Sequence, residues 1–450
     1  MADIAFVSLG CDKNLVDSEV MLGLLSGGGF NIVTEYEAAD VIVINTCCFI
    51  KDALMESVET IIELGRYKET GKLKGLIVAG CLAQRYEKDI FSEMPEVDCI
   101  IGTTSYDRIV SAVNGILDGK RGLKLLSDIN ESPAEELGLK RINSSEGVFA
   151  YLKIAEGCDN RCTYCVIPKL RGKYRSRSIE SLVLEARELA KGGIKELILV
   201  AQDTACYGVD IYKKPVLHEL LRKLSEIEGI EWIRLLYCYP EHITEETILE
   251  MAGNPKVVKY IDMPVQHGSD GVLKRMGRRI TSSIIRDKVS ALRSSMPDIA
   301  VRTSIITGFP GETEEEFNEL LEFVKELEFD RLGVFAYSNE EGSPASGFKD
   351  QIPERLKKKR RGAVMRLQKD ISAKKCGEEK GKVIDVIIEG YLPDEGVYCG
   401  RSQKDAPGVD GMVFVSSPRE IISGEIIKAE ITGAGEYDII GRETGCEFGE

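Results

Sequence analysis

Along the first 143 residues, short apolar runs alternate with longer stretches of mixed polarity. Runs at 4–8, 41–45, 76–79 and 99–101 predict strands. Between the first two, Val16, Val20 and Leu24 recur at helical spacing and stop at Gly27, Gly28 and Gly29. Strands alternating with helices imply a parallel sheet. The stretch 128–145 is polar, holds Pro133 and adjacent Ser144 and Ser145, and predicts a linker. It would separate a first domain at 1–127 from a second at 146–381.

In the second domain, strands are predicted at 149–154, 196–201, 233–237, 258–263, 300–306 and 331–336. Helical patterns follow the first five, at 180–190, 217–227, 245–251, 284–294 and 314–327, and a final helix at 352–375 closes the region. Six such units are too few for a closed eight-fold barrel and suit an open three-quarter (βα)6 barrel. From residue 382 the pattern changes to short strands at 383–388, 396–400, 412–416, 425–431 and 437–441, separated by Gly, Pro and Asp. That predicts a small all-β barrel at 382–450. The fold class is therefore multidomain α/β with a terminal β module.

Composition narrows the function. Hydrophobic residues at 43% and charged residues at 30% describe a globular chain, which excludes a disordered tail, a collagen or a small disulfide scaffold. The net charge of −15 argues against bulk nucleic-acid binding, which needs clustered cations. It is unevenly spread: residues 1–143 carry −9, the middle region +2, and residues 382–450 carry −8 from 6 basic and 14 acidic side chains. The densest apolar run, 41–50, is broken by Asn45 and Thr46, so no membrane span is expected. The first residues lack a basic, apolar export pattern, and a cytoplasmic protein is expected. Its 13 cysteines then point to metal or redox chemistry rather than disulfides.

The strongest signal is Cys158, Cys162 and Cys165, three thiols within eight residues just after the first barrel strand. Three soft thiolates at this spacing can hold three irons of a cubane cluster and leave the fourth open to a small molecule. Structural zinc prefers four ligands, and the next cysteine is Cys206. A second set is spread out: Cys11, Cys47 and Cys81 each follow a predicted strand. Loops at the carboxyl edge of a parallel sheet converge, so these three could meet. A zinc knuckle for the first set and unrelated buried cysteines for the second remain the alternatives on spacing alone.

The Cys-x3-Cys-x2-Cys run, with Tyr164 before its last cysteine, resembles the radical S-adenosylmethionine superfamily. The resemblance implies a 4Fe–4S cluster whose open iron is chelated by the amino and carboxylate groups of S-adenosylmethionine, reductively cleaved to a 5′-deoxyadenosyl radical. The words Ser8-Leu9-Gly10-Cys11, Asn45-Thr46-Cys47 and Ala79-Gly80-Cys81 resemble the methylthiotransferases within it. That likeness implies a second 4Fe–4S cluster on Cys11, Cys47 and Cys81 and a TRAM domain at the end of the chain. It also implies an external electron donor such as flavodoxin or ferredoxin. Residues 10–19 look closest to the branch that methylthiolates the β-carbon of an aspartate in small-subunit ribosomal protein twelve. The transfer-RNA branch of the MiaB type typically has Gln-Met-Asn where this chain has Asp12-Lys13-Asn14. Proline is common at position 12 in the first branch, so Asp12 is a departure.

Other features carry less. Tyr164, Gln202, Gln266, Thr307 and Gly308 lie at the carboxyl ends of barrel strands and are candidates to contact S-adenosylmethionine. His267 is expected to bind or to be structural, since radical abstraction needs no base. No catalytic residue is expected beyond the cluster ligands. Arg171, Lys173, Arg175 and Arg177 could meet a carboxylate or a reduced cluster, or form a solvated loop. Lys357, Lys358, Lys359, Arg360 and Arg361 predict a helix with one solvated basic face. Cys48 is expected to point away from its neighbour Cys47. Cys99, Cys206, Cys238, Cys376, Cys399 and Cys446 match no ligand pattern and are expected to be packing or exposed thiols. A β module at −8 would repel RNA and steer a basic protein, which favours a ribosomal protein over nucleic acid as substrate.

Overall fold

Strands buried on both faces are largely apolar, and the central strands of the first domain, Val41–Thr46, Gly75–Gly80 and Cys99–Ile101, are of this kind. The computed structural model describes residues 2–131, 140–145 and 148–445. The first domain runs β1 (Asp3–Ser8), α1 (Asp12–Gly27), β2 (Asn31–Val33), β3 (Val41–Thr46), α2 (Lys51–Gly65), α3 (Tyr67–Thr70), β4 (Gly75–Gly80), α4 (Cys81–Arg85), α5 (Ile90–Glu93), β5 (Cys99–Ile101), α6 (Ile109–Leu117) and β6 (Leu123–Leu125). All six strands are parallel, in the order β2-β1-β3-β4-β5-β6. Side chains of β3 alternate between two cores: Ile42 and Ile44 on one face, Val41 and Val43 on the other, with Met21 of α1 and Ile116 of α6. The edge strands β2 and β6 have three residues each, too few to show a period.

The second domain runs β7 (Phe149–Lys153), β8 (Ala155–Glu156), α7 (Ile167–Arg171), β9 (Arg175–Ser176), α8 (Ile179–Lys191), β10 (Glu196–Val200), α9 (Leu217–Ser225), β11 (Trp232–Leu235), α10 (Glu245–Gly253), β12 (Val257–Asp262), α11 (Asp270–Arg275), α12 (Ser282–Ser295), β13 (Ala300–Thr307), α13 (Glu314–Leu327), β14 (Arg331–Ala336) and α14 (Glu354–Gly377). Its sheet is parallel and sequential, β14-β13-β12-β11-β10-β7, with two open edges: the six-unit open barrel. Leu197 and Leu199 face the helices. Ile198 and Val200 face inward, against Ile387 and Ala406 of the third domain. That domain is a closed five-stranded barrel of β15 (Val383–Leu392), β16 (Val397–Ser402), β17 (Val413–Ser416), β18 (Ile426–Ala434) and β19 (Ile439–Glu443). Buried ion pairs fasten it to the sheet: Arg401 to Glu196 at 2.7 Å and Arg331 to Asp405 at 2.5 Å. Among the described residues no helix is long and apolar enough to cross a membrane.

Helix α1 departs from the amphipathic reading. Lys13, Asn14, Asp17, Ser18 and Glu19 are buried along with Val16 and Val20. The polar side is buried because it is the seat for the second domain. Asp17 pairs with Lys153 and, at 2.8 Å, with Arg171; Glu156 pairs with both cations at 2.9 and 2.8 Å. A second set involves the expected linker, whose described part is not a loose tether. Arg141 bridges Glu19 and Glu185 at 2.8 and 2.7 Å, and Ser144 donates to Glu19 through both its backbone N–H and its hydroxyl. Pro133 lies outside the described residues.

Burial opposes ionisation of Glu156 and Glu185, but Arg171 and Lys153 beside the first, and Arg177 and Arg141 beside the second, hold both carboxyls below the usual range. Folded values below the unfolded ones mean that their stabilisation is complete above about pH 4.3 and lost as pH falls through the folded values. Thermal unfolding followed against pH should show these two groups contributing nothing to the slope near neutrality and a loss only in acid. Asp17→Ala strips one carboxylate from two buried cations and should cost about 3–5 kcal/mol. Denaturant titration measures that loss, and hydrogen exchange should place the loosening in α1.

Candidate active site

Glycines let three separate loops close on one another at the carboxyl edge of the first sheet. Gly10 has φ +93°, and a Cβ there would stand 2.5 Å from the Cys47 Cβ. Gly80 has φ +89°, and its Cβ would stand 2.3 Å from the Asn45 Oδ1. No other residue type fits either place. Side-chain amides then knit the loops. Asn14 donates to the carbonyls of Leu9 and Thr46, Asn45 donates to the Asn14 carbonyl, and the Thr46 hydroxyl donates to the Ala79 carbonyl. The result brings Cys11, the N-cap of α1, into the electrostatic neighbourhood of Cys47 and Cys81. Cys11 is exposed; the other two are buried, and burial pushes both thiols up.

Cys48 is fully buried in the cluster that holds Ile61, Leu82 and also Cys81, with Arg85 and Cys47 beside its thiol. Burial pushes its thiol up to about 12. Cys47 is held at its backbone instead, donating its N–H to the Ser57 hydroxyl at 3.1 Å and accepting that hydroxyl's proton at 2.8 Å.

The second set sits on the loop between β8 and α7. Gly157, with φ +79°, passes so close to Lys173 that a Cβ would lie 2.0 Å from its carbonyl oxygen. The loop is tied from both sides. Cys158 N–H donates to the Gly172 carbonyl, Thr163 N–H to the Met276 carbonyl, and Ala345 N–H to the Thr163 carbonyl. Cys158 and Cys162 are buried and Cys165 is half-buried. Burial pushes all three thiols up, Cys158 to about 12. Ile167 N–H points at the Cys165 Sγ from 3.5 Å. Crowded thiols that burial keeps protonated are poor nucleophiles and good latent ligands, since a soft metal displaces the proton. The donor sets therefore fit iron–sulfur clusters, and each is one thiol short of a closed four-thiolate site among the described residues.

Arg171 connects the two sets. It ends the helix that follows Cys165, is 2% exposed, and binds Asn14, Asp17 and Glu156. Its charge reaches Cys11, Cys47 and Cys81. Of the readings of this basic stretch, the carboxylate partner is observed at Arg171 and at Arg177, which pairs with Glu185 at 2.6 Å, while Lys173 is exposed and Arg175 donates to the Lys173 and Arg171 carbonyls. Asp12 also spans the domains: its Oδ1 accepts from the Tyr237 hydroxyl at 3.0 Å and pairs with Lys13, whose ammonium lies over the Tyr237 ring.

The five candidate S-adenosylmethionine contacts separate into two groups. Gln202 donates to Glu156 at 2.7 Å, and its buried Oε1 has no hydrogen-bond partner among the described residues. The Tyr164 ring packs near Phe309 and Tyr337, with its buried hydroxyl beside Cys162. Gln266, at φ +71°, bridges to Ile305 at the same strand edge. Thr307 and Gly308 face elsewhere. The Thr307 hydroxyl lies 3.4 Å from the Phe335 and Lys357 carbonyls, and a Cβ on Gly308 would meet the Lys357 Cγ at 2.4 Å. Gly308 thus admits the close approach of helix α14. His267 is fully buried, accepts from the Ser269 N–H and lies 3.5 Å from Glu312, a structural placement.

The basic run of α14 corrects the expectation of a solvated face. Lys357 and Arg360 are buried, the first on the Tyr337 carbonyl and the second on Glu312 at 2.8 Å; only Lys358, Lys359 and Arg361 are exposed. Glu312 also caps the N–H groups of Gly308 and Phe309, which draws the cation inward. Cys99, Cys238 and Cys376 are buried packing thiols and Cys399 is half-buried; Cys446 lies outside the described residues. Cys206 lies against Asp203 and His242, a grouping that spacing along the chain does not reveal.

Comparisons with known proteins agree with this layout. Residues 152–324 match the radical SAM superfamily, 3–102 the uncharacterized protein family UPF0004, and 381–443 the TRAM domain. Among solved structures, the radical S-adenosylmethionine methyltransferase TsrM from Kitasatospora setae superposes with a TM-score of 0.56 at 16% identity, covering 74% of this chain and 73% of its own. The cobalamin-dependent radical enzyme OxsB reaches 0.52 at 14% identity, over 82% of this chain and 56% of its own. Both show the fold alone. Among curated relatives, the ribosomal protein uS12 methylthiotransferase RimO of Lachnoclostridium phytofermentans is 52% identical, covering 97% of this chain and 99% of its own. The RimO proteins of a Thermoanaerobacter strain and of Clostridioides difficile are 48% and 47% identical, each over 98% of this chain and 100% and 98% of their own lengths. With identity near one half over 97–98% of its length and matches to the radical SAM, UPF0004 and TRAM models, the chain belongs to the RimO family of radical S-adenosylmethionine methylthiotransferases.

Proposed function

We infer that this chain adds a methylthio group to ribosomal protein uS12, at the β-carbon of an aspartate. The methylthio chemistry rests on the pair of three-cysteine sets on two domains, locked together at their strand edges by Arg171 and Asp17, and the choice of uS12 rests on the near-half identity to uS12 methylthiotransferases. We assign Cys158, Cys162 and Cys165 to one 4Fe–4S cluster and Cys11, Cys47 and Cys81 to a second. When bound, these groups with S-adenosylmethionine would relay the reductant's electron, give the radical and the methyl group, and bind or deliver the sulfur. The chain's own residues do the positioning. Glu156 holds Gln202 at the barrel mouth, and Arg171 offsets negative charge beside the first-domain thiols. Domain limits are proposed at 1–127, 128–145, 146–381 and 382–450, with a flavodoxin- or ferredoxin-type reductant.

About eight irons per chain should be found after anaerobic reconstitution. Replacing Cys158, Cys162 and Cys165 together by Ala should leave about four and abolish S-adenosylmethionine cleavage. Full iron content in that variant would overturn the assignment.

Single Ala variants of Cys11, Cys47 or Cys81 should keep reductive cleavage of S-adenosylmethionine and lose methylthio transfer, read by mass spectrometry of uS12. Cys48→Ala should keep both, because Cys47 is the one of the pair assigned to the cluster.

Substrate docking is assigned to the −8 charge of residues 382–450. Glu425, Glu430 and Glu436, obvious choices from the sequence, are each paired with a cation, Arg419, Arg442 and Lys369. Asp394, Glu395 and Glu420 are exposed and form no ion pair among the described residues. Reversing these three to Lys should raise KM for uS12 at low salt and leave uncoupled cleavage unchanged. The difference should shrink at high salt, where exposed charges are screened. Equal KM in all four conditions would reduce the charge to a solubility feature.

A further inference from the structure

Beyond the six cysteines, Asp203, Cys206 and His242 bring three different donor atoms to one point. Asp203 follows β10, Cys206 ends the short turn Thr204–Cys206, and His242 ends the turn Pro240–His242 after β11. All three stand at the strand edge that carries the Cys158 loop. The His242 Nδ1 lies 2.7 Å from the Asp203 Oδ2 and 3.0 Å from the Cys206 Sγ, and that sulfur lies 3.4 Å from the same carboxylate oxygen.

A nucleophilic relay is excluded by which nitrogen is used. In a thiol–imidazole–carboxylate relay the thiol and the carboxylate meet opposite ring nitrogens. Here both meet Nδ1, so the three atoms enclose a point instead of forming a line. The carboxylate is buried, with its side chain 1% exposed: Oδ2 faces Cys206 and His242, and Oδ1 has no hydrogen-bond partner among the described residues. The His242 ring stacks on Tyr239 at 18°, with centroids 6.4 Å apart. It is 34% exposed, which leaves a way in for an ion and a place for a water ligand.

We propose that Asp203, Cys206 and His242 form a site for one zinc(II) ion, clasping the loops after β10 and β11. One sulfur, one nitrogen and one oxygen with an open fourth position is a zinc donor set. Bonds of about 2.0–2.3 Å call for donor separations slightly wider than those present, so the three side chains part by a few tenths of an ångström. Binding releases the Cys206 thiol proton to solvent. Asn160, between Cys158 and Cys162, donates to the same Asp203 oxygen at 2.9 Å, so the site shares a partner with the cysteine loop.

The test uses the anaerobically reconstituted full chain, its cluster cysteines occupied, dialysed against micromolar zinc. Zinc and iron are measured on the same samples, and zinc-edge X-ray absorption reports the neighbours. One zinc per chain with one sulfur neighbour is expected, at unchanged iron. Cys206→Ser should remove the sulfur neighbour, and Cys206→Ala with His242→Ala should abolish uptake while S-adenosylmethionine cleavage persists. No zinc uptake by the wild type, equal uptake by the double variant, or zinc with three sulfur neighbours would each overturn the site.

Discussion

The architecture depends on four charges buried between two domains. Asp17, Lys153, Glu156 and Arg171 are all withdrawn from water, and each is tolerable only because the two opposite charges are there. Removing ions from water costs several kcal/mol apiece, and mutual attraction returns that only when geometry and hydrogen bonding are complete. Such a cluster adds little net stability compared with apolar packing. It does specify one relative placement, since sliding the first domain by a few ångströms would strand cations in a dry interface. That placement carries Arg171 from the Cys165 helix into the field of Cys11, Cys47 and Cys81.

The loops at this junction are stiff for related reasons. Gly10, Gly80 and Gly157 stand where a Cβ would collide with a neighbouring backbone or side chain, so the close approaches are built into the chain. The amides of Asn14 and Asn45 satisfy carbonyls that the crowding would otherwise bury unpaired. Catalytic geometry depends on such close definition, because a displacement of about 1 Å can cost two orders of magnitude in rate. The third domain contributes differently. Arg401, Arg331 and Tyr260 fasten it to the sheet face away from the helices. Its remaining acids, such as Asp394 and Glu395, point their charge outward.

Asp12 shows how local and tertiary constraints meet in one residue. It opens α1, where an acid suits the positive end of a helix. It also accepts from Tyr237 across the domain boundary and pairs with the buried Lys13. A proline at this place would keep the helix start and lose the contact.

The sequence alone determined the three domain types, the long strands and the Cys158 set, because each is written in a local period or spacing that needs no partner. The βα units declare themselves through apolar runs such as 41–45, and three thiols within eight residues share a loop whatever surrounds them. The edge strands Asn31–Val33 and Leu123–Leu125 escaped because three residues show no period. Gly308 and Lys357 were legible as residue types and not as roles: one admits α14, and the other is buried beneath it. Only the tertiary structure decided that the polar face of α1 is interior, that Arg171 reaches the first-domain cysteines, and that Cys206 meets His242. Those facts rest on pairs 154 and 36 residues apart. A charge or a thiol has no periodicity to betray its partner; its meaning comes from what the fold sets within a few ångströms of it.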